Sequence, residues 1–276
     1  MRIVLHAGFH KTGTSSVQAA LAAHRAALGP RFLVQTAALS RPLAAAGRAA
    51  LATSVEPSAL PDLRNALALW LGGLRLRPHQ GLLISCEDLV GHMPGRLGRM
   101  DYAAARFLLP EVVQALQSRF PAAEVEVLLT TRAGPDWLRS IHWQLSKHPD
   151  MVLTARAFAR NYAAAADPGA ILRDLVPLLA PARLHEVPLE LLAPRRLGPV
   201  EALYDLIRLP DALRSTLSRV PPVGRNTPVD LADTFVRLNR AGLDPDELDR
   251  IKHEMVTLAR LLVEGKPPLS SGPPID

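Results

Sequence analysis

Between residues 8 and 16 the chain reads Gly8-Phe9-His10-Lys11-Thr12-Gly13-Thr14-Ser15-Ser16, one lysine and four hydroxyls framed by two glycines. Glycines let successive backbone N–H groups turn toward one point, and lysine and hydroxyls add further donors. That set suits a phosphate or another tetrahedral anion. The P-loop pattern G-x-x-x-x-G-K-[ST] needs its Lys directly after the second Gly. Here Thr14 stands in that place and the cation comes earlier, at Lys11. The same residues also permit a plainer reading, a tight strand-to-helix turn with Ser15 as N-cap and Gln18 closing a capping box. Capping needs one hydroxyl, however, and four are present.

Three other places carry chemistry-bearing types. Arg132 follows the apolar run 125–129 and Thr130-Thr131, and Ser140 comes eight positions later. Glu87 and Asp88 form a carboxylate pair just after the apolar run 82–84, a place that also suits a helix-capping acid or a partner for one of the many arginines. Arg225 lies in the polar stretch Val223-Gly224-Arg225-Asn226-Thr227.

The elements that must position these residues are legible from periodicity. Short apolar, partly β-branched runs at 3–5, 32–34, 82–84, 125–129 and 184–187 alternate with helical stretches near 58–76, 102–119, 135–147, 154–164, 169–180 and 199–208. Val17, Ala20, Leu21, His24 and Leu28 fall on one helix face directly after the glycine loop. Alternation of this kind predicts an α/β fold, a single three-layer domain with a central parallel sheet flanked by helices, similar to P-loop NTPases. Arg132 then sits at the C-terminal edge of a strand, where ligands of open α/β sheets bind. Asp244-Pro245-Asp246-Glu247 predicts a helix start, and Gly265 its end. The α/β domain is expected over 1–265, and the tail 266–276, with four prolines, is expected to be flexible.

His10-Lys11-Thr12-Gly13-Thr14-Ser15-Ser16 resembles the 5′-phosphosulfate loop of sulfotransferases that use 3′-phosphoadenosine 5′-phosphosulfate (PAPS), whose Lys precedes a Gly-Thr-Thr or Gly-Thr-Ser run. Arg132 and Ser140 resemble that family's strand-end Arg and helical Ser, which grip the 3′-phosphate. The resemblance covers residues 3–28 and 124–147, with looser likeness at 82–89 and 223–240. It implies PAPS as donor without a metal, held by His10, Lys11, Thr12, Gly13, Thr14, Ser15, Arg132, Ser140 and Arg225. It implies Lys11 and Glu87 as catalytic residues, and a hydroxyl acceptor on a small molecule or glycan, carbohydrates and glycolipids included. Two other readings stand beside it: a P-loop kinase or NTPase with a divergent loop, and a non-catalytic adenine-nucleotide-binding module.

Composition narrows the rest. The chain has 276 residues, 48% hydrophobic and 21% charged, as folded proteins have. Its single cysteine, Cys86, excludes an intramolecular disulfide and multi-Cys metal sites. Arginine predominates, with lysine only at 11, 147, 252 and 266, and the net charge is +6. Aromatics make up only 4% and the arginines are dispersed, so nucleic acid is not expected as a partner. No apolar run reaches membrane-spanning length, and a cytoplasmic location is expected.

Overall fold

The computed structural model describes residues 1–223 and 230–264. Five strands form one sheet: β1 (Arg2–His6), β2 (Phe32–Thr36), β3 (Gly81–Ser85), β4 (Glu124–Thr131) and β5 (Arg183–Pro188). All neighbours pair in parallel, in the order β2-β3-β1-β4-β5. The expected α/β architecture is therefore present. Parallel pairing demands long crossovers, and helices supply them. In chain order these are α1 (Thr14–Ala23), α2 (Arg25–Leu28), α3 (Arg41–Val55), α4 (Leu60–Gly73) and α5 (Ala105–Arg119). They continue with α6 (Gly134–Ser146), α7 (Ala155–Asn161), α8 (Gly169–Leu178) and α9 (Leu189–Leu192). The last are α10 (Glu201–Leu206), α11 (Asp211–Thr216), α12 (Ala232–Asn239) and α13 (Pro245–Glu264).

The described residues divide into two compact units. The larger comprises residues 1–137 and 162–224 and contains the whole sheet. Strand residues alternate between its faces. Val4, Val34, Leu83 and Leu128 are buried with Val17, Leu21 and Leu28 from α1 and α2 and with Leu203 and Tyr204 from α10. Ile3, Leu5, Leu82, Ile84, Val127 and Leu129, also buried, point to the opposite face. There α3, α4, α5 and α8 pack side by side, with α3, α5 and α8 touching strands β2, β4 and β5. β1 is the central strand, with β3 on one side and β4 on the other. The chain leaves β1 toward β2 and later crosses from β3 to β4, so the connections reverse direction at β1. Its C-terminal end is the switch point where such sheets open a crevice.

The smaller unit comprises, of the described residues, 138–161 and 230–264. Trp143, Ala232 and Phe235 form its core, and the Trp143 and Phe235 rings lie 5.3 Å apart. The side-chain amide of Asn239 donates to the carbonyls of Ser146, His148 and Met151 at 3.1, 2.8 and 2.6 Å. The buried ammonium of Lys252 donates to the Ser146 and Lys147 carbonyls and to Asn239. The last carbonyls of α6 are thus satisfied by side chains instead of water. Asp244 caps α13 through the N–H groups of Asp246 and Glu247, as the sequence predicts.

Candidate active site

Three chain segments end at the same edge of the sheet. The loop 7–13 follows β1, Glu87 follows β3, and Arg132 follows β4. The loop's shape depends on positive φ at three positions, Gly8 (33°), Lys11 (66°) and Gly13 (98°). Lys11 pays the strain of the left-handed region in a residue other than glycine, and strain of this kind collects at ligand sites. A Cβ at Gly8 would stand 2.8 Å from Thr14 Oγ1 and 2.9 Å from His6 Nε2, so only glycine leaves room there.

Under the loop runs a line of side-chain hydrogen bonds across three strands. The Thr12 hydroxyl donates to the Phe9 carbonyl at 2.5 Å and lies 2.7 Å from Thr130 Oγ1. Thr130 Oγ1 lies 3.3 Å from His6 Nε2, and His6 Nδ1 lies 2.9 Å from Ser85 Oγ. One assignment satisfies every atom: Thr130 donates to Thr12, His6 Nε2–H donates to Thr130, and Ser85 donates to His6 Nδ1. That assignment needs neutral His6, and burial pushes its pKa down to about 4.

Helix α1 starts at Thr14. Gly13 is its N-cap, no side chain caps it, and no acidic residue lies in its first turn. Its first N–H groups and the positive end of its dipole, equivalent to about +0.5 of a charge, therefore face the loop. Thr14 is 4% exposed, and its hydroxyl oxygen has no hydrogen-bond partner among the described residues. The capping-box alternative is overturned. Ser15 lies inside the helix and is exposed. Gln18 turns its amide elsewhere, to Glu87 Oε2 at 2.6 Å and the Ser85 carbonyl at 3.4 Å.

The residues singled out in the sequence are placed as follows. Lys11, Thr12, Gly13 and Thr14 form the loop and the first helical residue. Arg132 reaches it, with Nη1 3.5 Å from the Lys11 carbonyl. Glu87 opens a 3-10 turn, Glu87–Val90, and is tied to α1 through Gln18. His10 points away from the loop interior, with Nδ1 3.1 Å from the Tyr102 hydroxyl and Nε2 3.7 Å from Asp88. Ser140 belongs to the smaller unit, where it is buried on α6. Arg225 lies outside the described residues. The segment just before it is anchored here, because Val223 N–H donates to Ser16 Oγ at 3.1 Å.

Sequence reasoning missed the residues around His10. Trp137 Nε1 donates to the His10 carbonyl at 2.9 Å, and His10 N–H donates to the Tyr102 hydroxyl at 3.0 Å. Burial pushes the Tyr102 phenol well above its ordinary pKa, so it remains protonated. His92, half-buried, has its pKa lowered by burial and then by the nearby His10 and Arg96. The available signal was scarcity: in a chain with three Trp, three Tyr and six Phe, Phe9, Tyr102 and Trp137 cluster here. Cys86 is buried and its thiol is pushed up by burial and by Asp88 and Glu87, which removes it as a nucleophile.

The chain matches no protein-family model and no curated protein. Among solved structures, the crystal structure of a sulfotransferase from Alicyclobacillus acidocaldarius is similar over 96% of each chain, at 15% identity and a TM-score of 0.43. A likeness at that level carries no argument about activity. Among the described residues no helix is long and apolar enough to cross a membrane, and no group of three or more His, Cys, Asp or Glu could hold a metal ion.

Proposed function

We propose that this chain is a sulfotransferase that moves a sulfuryl group from PAPS to a hydroxyl acceptor. The observation that carries the reading is Thr14: a buried hydroxyl without a partner among the described residues, at a helix N-terminus that no described side chain caps, beside Lys11 and the space that Gly8 leaves open. A burial of that kind is costly unless a ligand oxygen completes it. The sequence resemblance to the 5′-phosphosulfate loop says which anion that is.

In this reading the loop N–H groups, Thr12 to Ser15 and Lys11 hold the 5′-phosphosulfate, and Arg132 takes the 3′-phosphate. The sequence resemblance alone adds Ser140 and Arg225 to that set. The acceptor oxygen attacks sulfur, forming one S–O bond as the bridging S–O bond to the 5′-phosphate breaks. Lys11 neutralises charge growing on the bridging oxygen, which leaves on adenosine 3′,5′-bisphosphate. The acceptor proton passes to Glu87, whose Oε1 lies opposite the oxygen held by Gln18 in the same carboxylate.

The test compares thermal stabilisation by adenosine 3′,5′-bisphosphate without metal with that by ATP plus magnesium. Selective stabilisation by the bisphosphate is expected. Stabilisation by ATP only when magnesium is present would overturn the reading in favour of a kinase or NTPase. Tight bisphosphate binding with no transfer to any hydroxyl would favour a non-catalytic nucleotide-binding module.

A further inference from the structure

In the larger unit, helix α4 turns Leu63, Leu67, Trp70 and Leu71 inward. Its other side carries two rows at helical spacing, Asp62, Ala66, Leu69 and Gly73 in one and Asn65, Ala68 and Gly72 in the other. Ala66 is partly exposed and the rest are fully exposed. The face holds a single charge, Asp62, near its N-terminal end. A solvated helix face ordinarily carries charged and polar residues along its whole length. Here Leu69, at 77%, is the most exposed large apolar side chain among the described residues.

Gly72 and Gly73 supply an independent observation. Neither has a positive φ, and a Cβ on either would meet no described atom within 4 Å. Glycine weakens a helix relative to alanine, and nothing in the described chain requires it at these two places. What glycine does permit is the close approach of a second backbone. Beside it, between α4 and α5, the surface is hollowed into a groove of about 620 Å³ in which Ala68, Gly72 and Ala115 keep the walls low. Arg64 and Glu111 on the groove wall are joined at two points, 2.8 and 2.6 Å. The Arg119 guanidinium, also on the wall, lies 5.0 Å from the centre of the Phe120 ring. An apolar side chain can therefore enter the groove without separating a charge from its partner.

We propose that this face is a self-association surface: a second copy of the chain lays its own α4 antiparallel on it about a two-fold axis, and Leu69 of each copy enters the other's groove beside Ala68 and Gly72. Two features select a second copy over any other partner. The protruding side chain and the hollow adjoin each other on one face, as an isologous contact needs. The charges at the two ends are also complementary to themselves. Asp62 stands at the N-terminal end of α4 and Arg75 and Arg77 follow its C-terminal end, all three exposed. Antiparallel packing sets the acid of each copy against the arginines of the other. One helix and the flank of a second make a small interface, so the pairing is weak and reversible. Nothing in it depends on the sulfotransferase reading.

Sedimentation velocity of the full chain between about 5 and 500 μM reads the pairing by mass action. The mean mass should rise from 29.9 kDa toward twice that value and go no further. Leu69→Glu should keep the chain monomeric throughout that range, with Tm moved by less than about 2 °C because the site is exposed. Gly73→Ala should raise Tm, as alanine suits a helix better, yet weaken pairing about 10-fold, because the added methyl stands where the other backbone comes. Asp62→Lys should weaken pairing, and Arg77→Asp added to it should restore pairing. Val176→Glu, at an exposed apolar residue of α8, should change nothing. A wild type that stays monomeric throughout, a dimer indifferent to Leu69→Glu, or growth past the dimer into open-ended oligomers would overturn the assignment. So would a monomeric wild type that binds phosphatidylcholine vesicles and loses them in Leu69→Glu, which would give the face to lipid.

Discussion

Replacing Thr14 with valine removes a hydroxyl and keeps the branched shape of the side chain. That hydroxyl is buried and has no partner among the described residues. An unsatisfied buried polar group costs about 1–3 kcal/mol, so Thr14→Val should stabilise the free protein by that order. For a folding unit of about 150–250 residues each kcal/mol moves Tm by about 2–4 °C, which predicts a rise of roughly 2–12 °C. Ligand binding should move the other way. A hydrogen bond to a charged oxygen contributes about 1.5–3 kcal/mol, so the affinity for adenosine 3′,5′-bisphosphate should fall roughly 10- to 150-fold. Thermal denaturation with and without the bisphosphate, joined to calorimetric titration, reads both signs in one set of samples. A variant less stable than wild type that binds the bisphosphate unchanged would refute the reasoning, because it would mean the hydroxyl has a structural partner and no ligand.

Arg132→Ala should weaken adenosine 3′,5′-bisphosphate about 10- to 150-fold, from the same range for a charged hydrogen bond, and leave adenosine 5′-phosphate nearly untouched in parallel titrations. Glu87→Gln should keep donor affinity and lower transfer about 100- to 10,000-fold, and unchanged turnover would dismiss Glu87 as the base. His6 supplies a stability prediction. The unfolded chain takes up its proton near pH 6.5, whereas the folded chain resists until about pH 4. In that window the unfolded state binds more protons, so unfolding free energy should fall by up to about 3 kcal/mol as pH drops from 6.5 to 4 and show no His6 contribution above it. Urea titrations at pH 7 and 4.5 should show this loss in wild type and a smaller one in His6→Gln; equal losses would clear His6.

All five strands were legible because each is a short apolar run followed by polar or turn residues, and the helices near 58–76, 102–119, 135–147, 154–164, 169–180 and 199–208 were legible from large apolar residues at helical spacing. α3 was not. Its buried positions are Leu43, Ala46, Gly47, Ala50, Thr53 and Ser54, a sound helical spacing written in small residues that a reading of large apolar side chains passes over. Gly47 is part of the reason, since a Cβ there would meet Cys86 and Asp88 at 3.1 Å. The division into two units leaves no linker in the sequence because one of its crossings falls inside α6, between Trp137 and Leu138. The loop chemistry was readable from residue types within nine positions. The aromatic cluster beside the loop was not, because Phe9, Tyr102 and Trp137 come from three segments far apart in the sequence.

The line of hydrogen bonds from Ser85 through His6 to Thr130 and Thr12 has a consequence for the order in which the chain acquires its shape. β1 is made before its partners β3 and β4, which end at Ser85 and Thr131. Contacts this far apart in sequence form late, after the closure entropy of the intervening chain has been met. The anion loop must thus wait, unshaped, for more than a hundred later residues. A nascent chain that stops short of Thr130 carries the complete loop sequence and lacks the strand hydroxyl that meets Thr12.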